Sequence, residues 1–396
     1  MTSANCSSLQ WVWLKPLFRL AKNSWWMSLL LWIAAIAPAQ AALEMRVAVE
    51  QGVNQVTVGS STEAIVQDGT GRALAEIPAM SSLTAQSAQG KVQLDRWQAG
   101  DMWIQPTNGG VVWIGDRWYR GRTRLVASGG TLTAVNYVDL EQYLYSVVGG
   151  EMPTNWPLEA LKAQAVAARS YALYQRQSSA NAIFDVGDTT QWQVYGGMQE
   201  ETTSTQAAVQ ATEGQVLTYN GQIIEAVFHS SSGGHTENVE DVWVQALPYL
   251  RGVQDFDEGA PVYQWSETVS ADRLRQMIPG VGNILSLTPE RTTPQGRIVT
   301  MRVTGDAGSR SVSGDELRRM LRLKSTLFAF YPAANQVAST GNVAYPTSFQ
   351  ISGRGFGHGL GLSQWGAYNL AQRGFTYQQI VSHYYTGTQL AKIRVE

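Results

Sequence analysis

Between Leu158 and Tyr174 the sequence reads LEALKAQAVAARSYALY. Leu158, Leu161, Ala165, Ala168 and Ala172 return on one face at helical spacing. Three of these five are alanines, so a neighbouring backbone can approach closely, and the pattern predicts a buried helix. Pro157 suits the first turn, where its missing N–H would have no intrahelical partner anyway. Upstream, an apolar run from Tyr143 to Val148 reads as a strand that stops at Gly149-Gly150, a pair that lets the backbone bend without steric penalty. Glu151 follows. A carboxylate at the hinge between a strand end and a buried helix is held as a catalytic group must be. A solvated loop glutamate is the plainer reading of the same residue.

The N-terminal 41 residues are of another kind. Lys15, Arg19 and Lys22 precede an uncharged run from Trp25 to Ala37, and Ala39-Gln40-Ala41 offers small residues for cleavage. That order predicts a secretory signal over residues 1–41 and an exported protein of the periplasm or cell envelope. The run is shorter than the ~20 apolar residues of a spanning helix. An uncleaved anchor, and with it membrane attachment, stays open. Removing the segment takes the net charge from −2 to about −5, a poor match for nucleic acid, which wants a basic face. Cys6, the only cysteine, leaves with it, so disulfides, thiolate catalysis and cysteine-ligated zinc are excluded from the remainder.

Residues 42–133 read as β-rich. MRVAVE, QVTVG, KVQLDRW, GVVWIG and TRLVAS are β-branched, aromatic or alternating runs separated by turn residues. Asp68 to Gln89, rich in Ala, Ser, Gly and Gln, reads as a loose loop. Trp97, Trp103, Trp113 and Trp118 are dense enough for cross-strand packing, with sugar-stacking platforms as the alternative. Residues 134–396 read as a mixed core. It holds the Ala-rich helix, a helix over Thr203–Thr212, and a hairpin at Asn220-Gly221. Residues 261–332 form an α+β segment with helices near Ala271–Ile278 and Gly314–Leu321 and a strand near Ile298–Thr304. Ser313 with Glu316, and Thr376 with Gln379, read as capping boxes, and Ser363 as the cap of a helix that Gly374 ends. The fold class is α+β.

Four histidines, His229, His235, His358 and His383, all fall in two Gly/Ser-rich polar stretches or just beyond them. This directs attention to the C-terminal two-thirds of the chain, since histidine is the side chain most readily recruited near neutral pH. Serine nucleophile chemistry lacks a GxSxG elbow. His229 and His235, with Glu237 or Glu240, do not match a helical zinc motif. GRGFGHGLG has no Lys-Ser/Thr for a nucleotide phosphate, and its glycines read instead as sites of close backbone approach. Glycan chemistry remains. One carboxylic acid of raised pKa can protonate a glycosidic oxygen and then serve as base, while a hydrolase would usually need two. Asp188 and Glu240 are candidate second acids if the fold delivers them.

VVGGEMPTNWPLEALKAQAVAARSYAL, FHSSSGGHTENVEDVW and SGRGFGHGLGLSQWGAYNLAQRG, in that order, resemble the SpoIID/LytB family, relatives of stage II sporulation protein D. The likeness runs from about Met45 to the C-terminus. It implies a SpoIID-type core and lytic transglycosylase activity on peptidoglycan glycan strands. Cleavage would fall between N-acetylmuramic acid and N-acetylglucosamine and leave a 1,6-anhydro end. The Glu of the E-M-P motif, implied as the acid and base, is Glu151 here. Further motif positions implied as substrate-binding are Lys162, Arg169, Asp188, Tyr195, His229, His358 and Gln364, with structural roles as the alternative for the basic residues and His358.

One departure stands out. Some members carry zinc-binding cysteines and a histidine where this chain has Gly187, Gln191 and Trp192, while Asp188, Gln193 and Tyr195 are kept. The expectation is therefore no metal and no cofactor. The LytB side of the family implies a second possibility, a non-catalytic glycan-binding partner that stimulates a cell-wall amidase.

Overall fold

The computed structural model describes residues 43–333, 337–340 and 343–393, and the expected export signal lies outside them. The N-terminal half of the described chain is built from two sheets. A seven-stranded sheet runs in the order Val186–Gly187, Glu44–Val53, Thr131–Asp139, Arg122–Ser128, Asp101–Pro106, Ala64–Asp68 and Ala73–Ile77. A six-stranded sheet runs Arg117–Tyr119, Val112–Ile114, Gln55–Ser60, Ser81–Ala88, Lys91–Leu94 and Trp97–Ala99. Alternate residues such as Val56 and Val58, Met102 and Ile104, Val112 and Ile114 turn inward and are buried in one core shared by both sheets. The Asp68–Gln89 stretch is not a loose loop. It supplies two of these strands, because backbone ladder bonds to Gln55–Ser60 and Lys91–Leu94 hold the second of them in place and only Ala85 need face the core. The four tryptophans are half-buried and pack on neighbours: Trp103 is edge-on to Tyr137 at 4.5 Å and Trp113 to Trp118 at 5.1 Å.

Thr131–Asp139 carries the chain out of the sheets and straight into helix α1, Leu140–Glu151. The Asp139 carboxylate caps it, accepting from the Glu141 and Gln142 N–H groups at 3.0 and 3.1 Å. The Tyr143–Val148 run is therefore helical and not a strand. Leu140, Tyr143, Leu144, Val147 and Val148 are spaced to bury one helical stripe, and all five are inside the core. The Ala-rich segment forms α2, Leu158–Ser178, and its Leu161, Ala165, Ala168 and Ala172 have no exposure. Burial extends all round its middle, through Ala163, Val166, Ala167 and Ser170. Leu158 departs from the pattern, 43% exposed in the first turn.

Helix α3, Thr203–Ala211, packs on α1 and α2. The Asn220-Gly221 turn has positive φ at both residues, as the hairpin signal requires, between Gln215–Tyr219 and Gln222–Ile223. A one-turn helix α4, Val239–Val242, follows. Residues from Trp265 to Ile351 gather a second core around strands Ile284–Thr292 and Ile298–Gly305 and helices α5, Ala271–Met277, and α6, Gly314–Leu321. Strand Ser348–Arg354 returns the chain to the first core, where α7, Gln364–Gln372, and α8, Tyr377–Tyr384, pack on α2. Ser363 caps α7, and Thr376 with Gln379 forms the expected capping box of α8. Ser313 caps α6 through the Glu316 N–H. Among the described residues no helix is long and apolar enough to cross a membrane.

Candidate active site

Glu151 is the last residue of α1, and Gly149 and Gly150 lie inside that helix. Their role is close approach, not bending. A Cβ at Gly149 would strike the Glu200 carbonyl oxygen, and one at Gly150 would crowd Val194. The 194–200 backbone is thus drawn against the helix end, and the Val194 N–H donates to Glu151 Oε1 at 2.8 Å. Gln364, the first residue of α7, hydrogen-bonds the same carboxylate. Burial pushes the Glu151 pKa above the ordinary carboxylate value, and these two hydrogen bonds hold it partly back. A carboxylic acid kept protonated to higher pH is the form a general acid needs.

The carboxylate opens into a cleft of roughly 280 Å³. Val227 and the strand residue Phe228 line it together with Tyr171 of α2, Trp192, Trp243 and His358. Two polar stretches cross beside it. Phe228–His229 pairs in parallel with Leu362–Ser363, which sets Gln364 within reach of Glu151. Ser231 pairs with Phe356, and Gly357, at φ +117°, would place a Cβ 2.6 Å from that of His229. The glycines of GRGFGHGLG do serve close backbone approach.

Both histidines at this crossing are neutral. Burial, reinforced by the Arg297 charge, takes His229 down to about 3, and burial likewise holds His358 well below its usual value, with His229 next in effect. A carbonyl oxygen only accepts, so His229 Nδ1–H donates to Leu360 O at 3.0 Å, leaving a buried Nε2 lone pair without a partner. His358 Nε2–H donates to Phe228 O at 2.9 Å while its Nδ1 accepts from the Leu360 N–H. His358 therefore faces the cleft as a fixed ring, and His229 stands behind it at 5.2 Å between ring centres.

The other expected site residues divide plainly. Gln364 meets Glu151. Arg169 does not reach the cleft: it has no exposure, and its guanidinium is spent on Glu141 at 2.5 and 2.9 Å and on the Gln215 carbonyl. Lys162 pairs with Glu159 at 2.7 Å beside the Tyr377 ring. Tyr195 is buried, its hydroxyl donating to Asn136 at 2.7 Å, so it too is a packing residue. Asp188, half-buried, is raised to about 6 by desolvation, but it faces Glu50 and Arg117 and is not among the cleft residues. Glu240 is bound to Arg251.

The metal expected in some relatives does not fit here. Gly187 and Trp192 do come together, but a Cβ on Gly187 would meet the Trp192 indole at 2.9 Å. A glycine, an indole and the Gln191 amide supply no zinc donor, and the ring takes the space beside Gly187. Among the described residues no three His, Cys, Asp or Glu side chains gather as a metal site. His235 is turned to its neighbour's carbonyl, Thr236 O.

Sequence reasoning passed over Tyr171, Trp243 and Glu225. Glu225 had a sign in the sequence, as the acid that interrupts the apolar run QIIEAVF, whereas the 38% exposure of Trp243 is visible only in the structure.

Comparisons with known proteins bear on this arrangement. Residues 128–219 match the family model for the stage II sporulation protein SpoIID, and residues 238–361 match a family described as a domain of unknown function. An uncharacterized protein of Brachyspira hyodysenteriae is 33% identical over 274 residues, 69% of this chain and 72% of its own length. Stage II sporulation protein D of Bacillus subtilis is 34% identical over 281 residues, 65% of this chain and 76% of its own. The amidase enhancer of Bacillus subtilis is 30% identical over 290 residues, 62% of this chain and 40% of its own.

Proposed function

This chain belongs to the SpoIID/LytB family, and from that premise we propose that it cleaves peptidoglycan glycan strands as a lytic transglycosylase, with Glu151 as acid and then base. The observation that carries the reading is a single carboxyl group with a raised pKa in a cleft walled by aromatic rings. Among the described residues, no other carboxylate lines the cleft that Glu151 opens into. In the first step the Glu151 carboxylic acid gives its proton to the glycosidic oxygen as the C1–O bond breaks. Positive charge spreads over C1 and the ring oxygen. In the second step the carboxylate takes the proton of the muramic C6 hydroxyl while that oxygen bonds to C1. The 1,6-anhydro ring closes, no water is consumed, and Glu151 ends protonated as it began. The Val194 N–H and the Gln364 side chain stabilise the carboxylate between the two steps. On this reading the chain works outside the cytoplasm, on the cell wall. The uncharged run Trp25–Ala37 supports export.

The experiment is product analysis by mass spectrometry after incubating purified protein with glycan strands stripped of stem peptides. Anhydro-muramic ends from the wild type, absent from Glu151→Ala and Glu151→Gln, support the reading. Equal cleavage by either variant overturns it. The relative named amidase enhancer supports a second reading, in which the chain holds glycan and stimulates an amidase without cutting. There Glu151→Gln leaves amidase stimulation intact while Trp243→Ala weakens it.

A further inference from the structure

The cleft does not stop at the Glu151 half. Tyr171, Gln191, Trp192, Val227 and Trp243 also line an adjoining cleft of roughly 380 Å³, whose remaining walls are Gln175 and Glu225. The geometry follows from two elements running side by side. Ile224 and Ala226 are buried, while Glu225 between them is half-buried and lines the groove, where the Val227 N–H closes a tight turn on the Glu225 carbonyl at 3.0 Å. Tyr171 and Gln175, one helical turn apart on α2, present the same face. The Gln175 side-chain N–H donates to Glu225 Oε1 at 3.2 Å and holds the carboxylate in position. Tyr171 feels the charge of both Glu225 and Glu151, which puts its ring in the stretch they share.

We infer that Glu225 is a specificity-determining residue: its half of the groove is a subsite for an uncharged sugar of the strand and rejects a sugar that carries a free carboxylate. The inference rests on the glycan reading above. The aromatic walls suit a sugar face, and the carboxylate accepts hydrogen bonds from hydroxyl or acetamido N–H groups. An anionic substituent there meets Glu225 with no guanidinium or ammonium among the described lining residues to offset it. In a strand whose sugars alternate between one with a lactyl carboxylate and one without, such a subsite sets which linkage lies across Glu151.

The test uses tetramers of N-acetylglucosamine in two matched forms, one carboxymethylated on every sugar and one carboxamidomethylated. Every sugar of the first is charged, so no shift of register can spare Glu225. Trp192 and Trp243 make tryptophan fluorescence a direct readout of binding. Wild type is expected to bind the neutral tetramer about tenfold more tightly than the charged one. Glu225→Gln narrows the ratio to about threefold or less, and Glu225→Lys reverses it. Glu63→Gln, at an exposed residue just before the strand Ala64–Asp68, leaves it unchanged. A wild-type ratio near one, or a ratio untouched in both Glu225 variants, overturns the inference while leaving cleavage by Glu151 standing. If neither tetramer binds, the glycan reading falls with it. If the ratio shifts as expected and no anhydro ends form, the subsite stands and the transglycosylase reading falls.

Discussion

The two halves of the groove share a floor and aromatic walls, yet they hold their carboxylates in different ways. Glu151 ends a helix, is clamped by a backbone N–H and the Gln364 side chain, and sits where Gly149 lets another backbone touch the helix. Glu225 stands at a tight turn between two short strands, and its carboxylate has one side-chain partner, Gln175. Both pKa values are raised, and desolvation leads in each case. What differs is rigidity. A group that must meet one oxygen along a reaction path gains from being over-determined. A group that selects a sugar by charge needs only to be present and ionised.

Breaking one half at a time separates these roles. The largest effect is expected from Glu151→Gln, which should lower turnover by about 100- to 10,000-fold with little change in glycan affinity. Glu225→Gln should alter affinity and product pattern more than turnover, read by measuring binding and rate on the same strands. Next comes Gly149→Ala. Its methyl group has no space beside the Glu200 carbonyl, so a loss of about 1–3 kcal/mol should appear as a lower denaturant midpoint. Gln175→Ala, which removes one hydrogen bond to Glu225 and forces no clash, should shift that midpoint less. Smaller again, Trp192→Ala and Trp243→Ala should each weaken glycan binding by about tenfold, checked by titration.

Stability should also change with pH. A carboxyl whose folded pKa is raised holds its proton longer when folded than when unfolded, so its contribution falls as pH rises past the ordinary value of 4.5. Glu151→Gln should therefore be slightly more stable than wild type at neutral pH and no different well below 4.5. His229 works in the opposite direction. Its folded value near 3 lies below the usual 6.5, so the neutral ring favours folding above 6.5 and that contribution is lost as pH falls toward 3. Unfolding curves across this range check both signs.

Much of the fold was legible because local rules and tertiary packing agreed. The Ala-rich helix, the Asn220-Gly221 hairpin and the caps at Ser363 and Thr376 are all stated by neighbouring residues. Tyr143–Val148 misled because six consecutive largely apolar residues look alike in a strand and a buried helix, and the deciding stripe begins earlier, at Leu140. At the site, Glu151 stood out by its place after Gly149-Gly150 and gained a role through a resemblance, while Gln364 was legible only through that resemblance. Arg169 shows its limit: a motif position can be buried and hold the scaffold, here through Glu141. Tyr171 was hidden, and the acid that interrupts QIIEAVF had no readable purpose, because their shared groove exists only once α2 lies along the 224–229 backbone. Their separation in sequence carries no sign of it.

The central claim is that one carboxyl acts twice and no water enters. Cleavage of denuded glycan in water enriched in ¹⁸O tests it most directly, with the new ends read by mass spectrometry. The account predicts anhydro-muramic ends carrying no ¹⁸O from wild type and none at all from Glu151→Gln. New reducing ends labelled with ¹⁸O would contradict it, since they require a hydrolase with a second group to activate water.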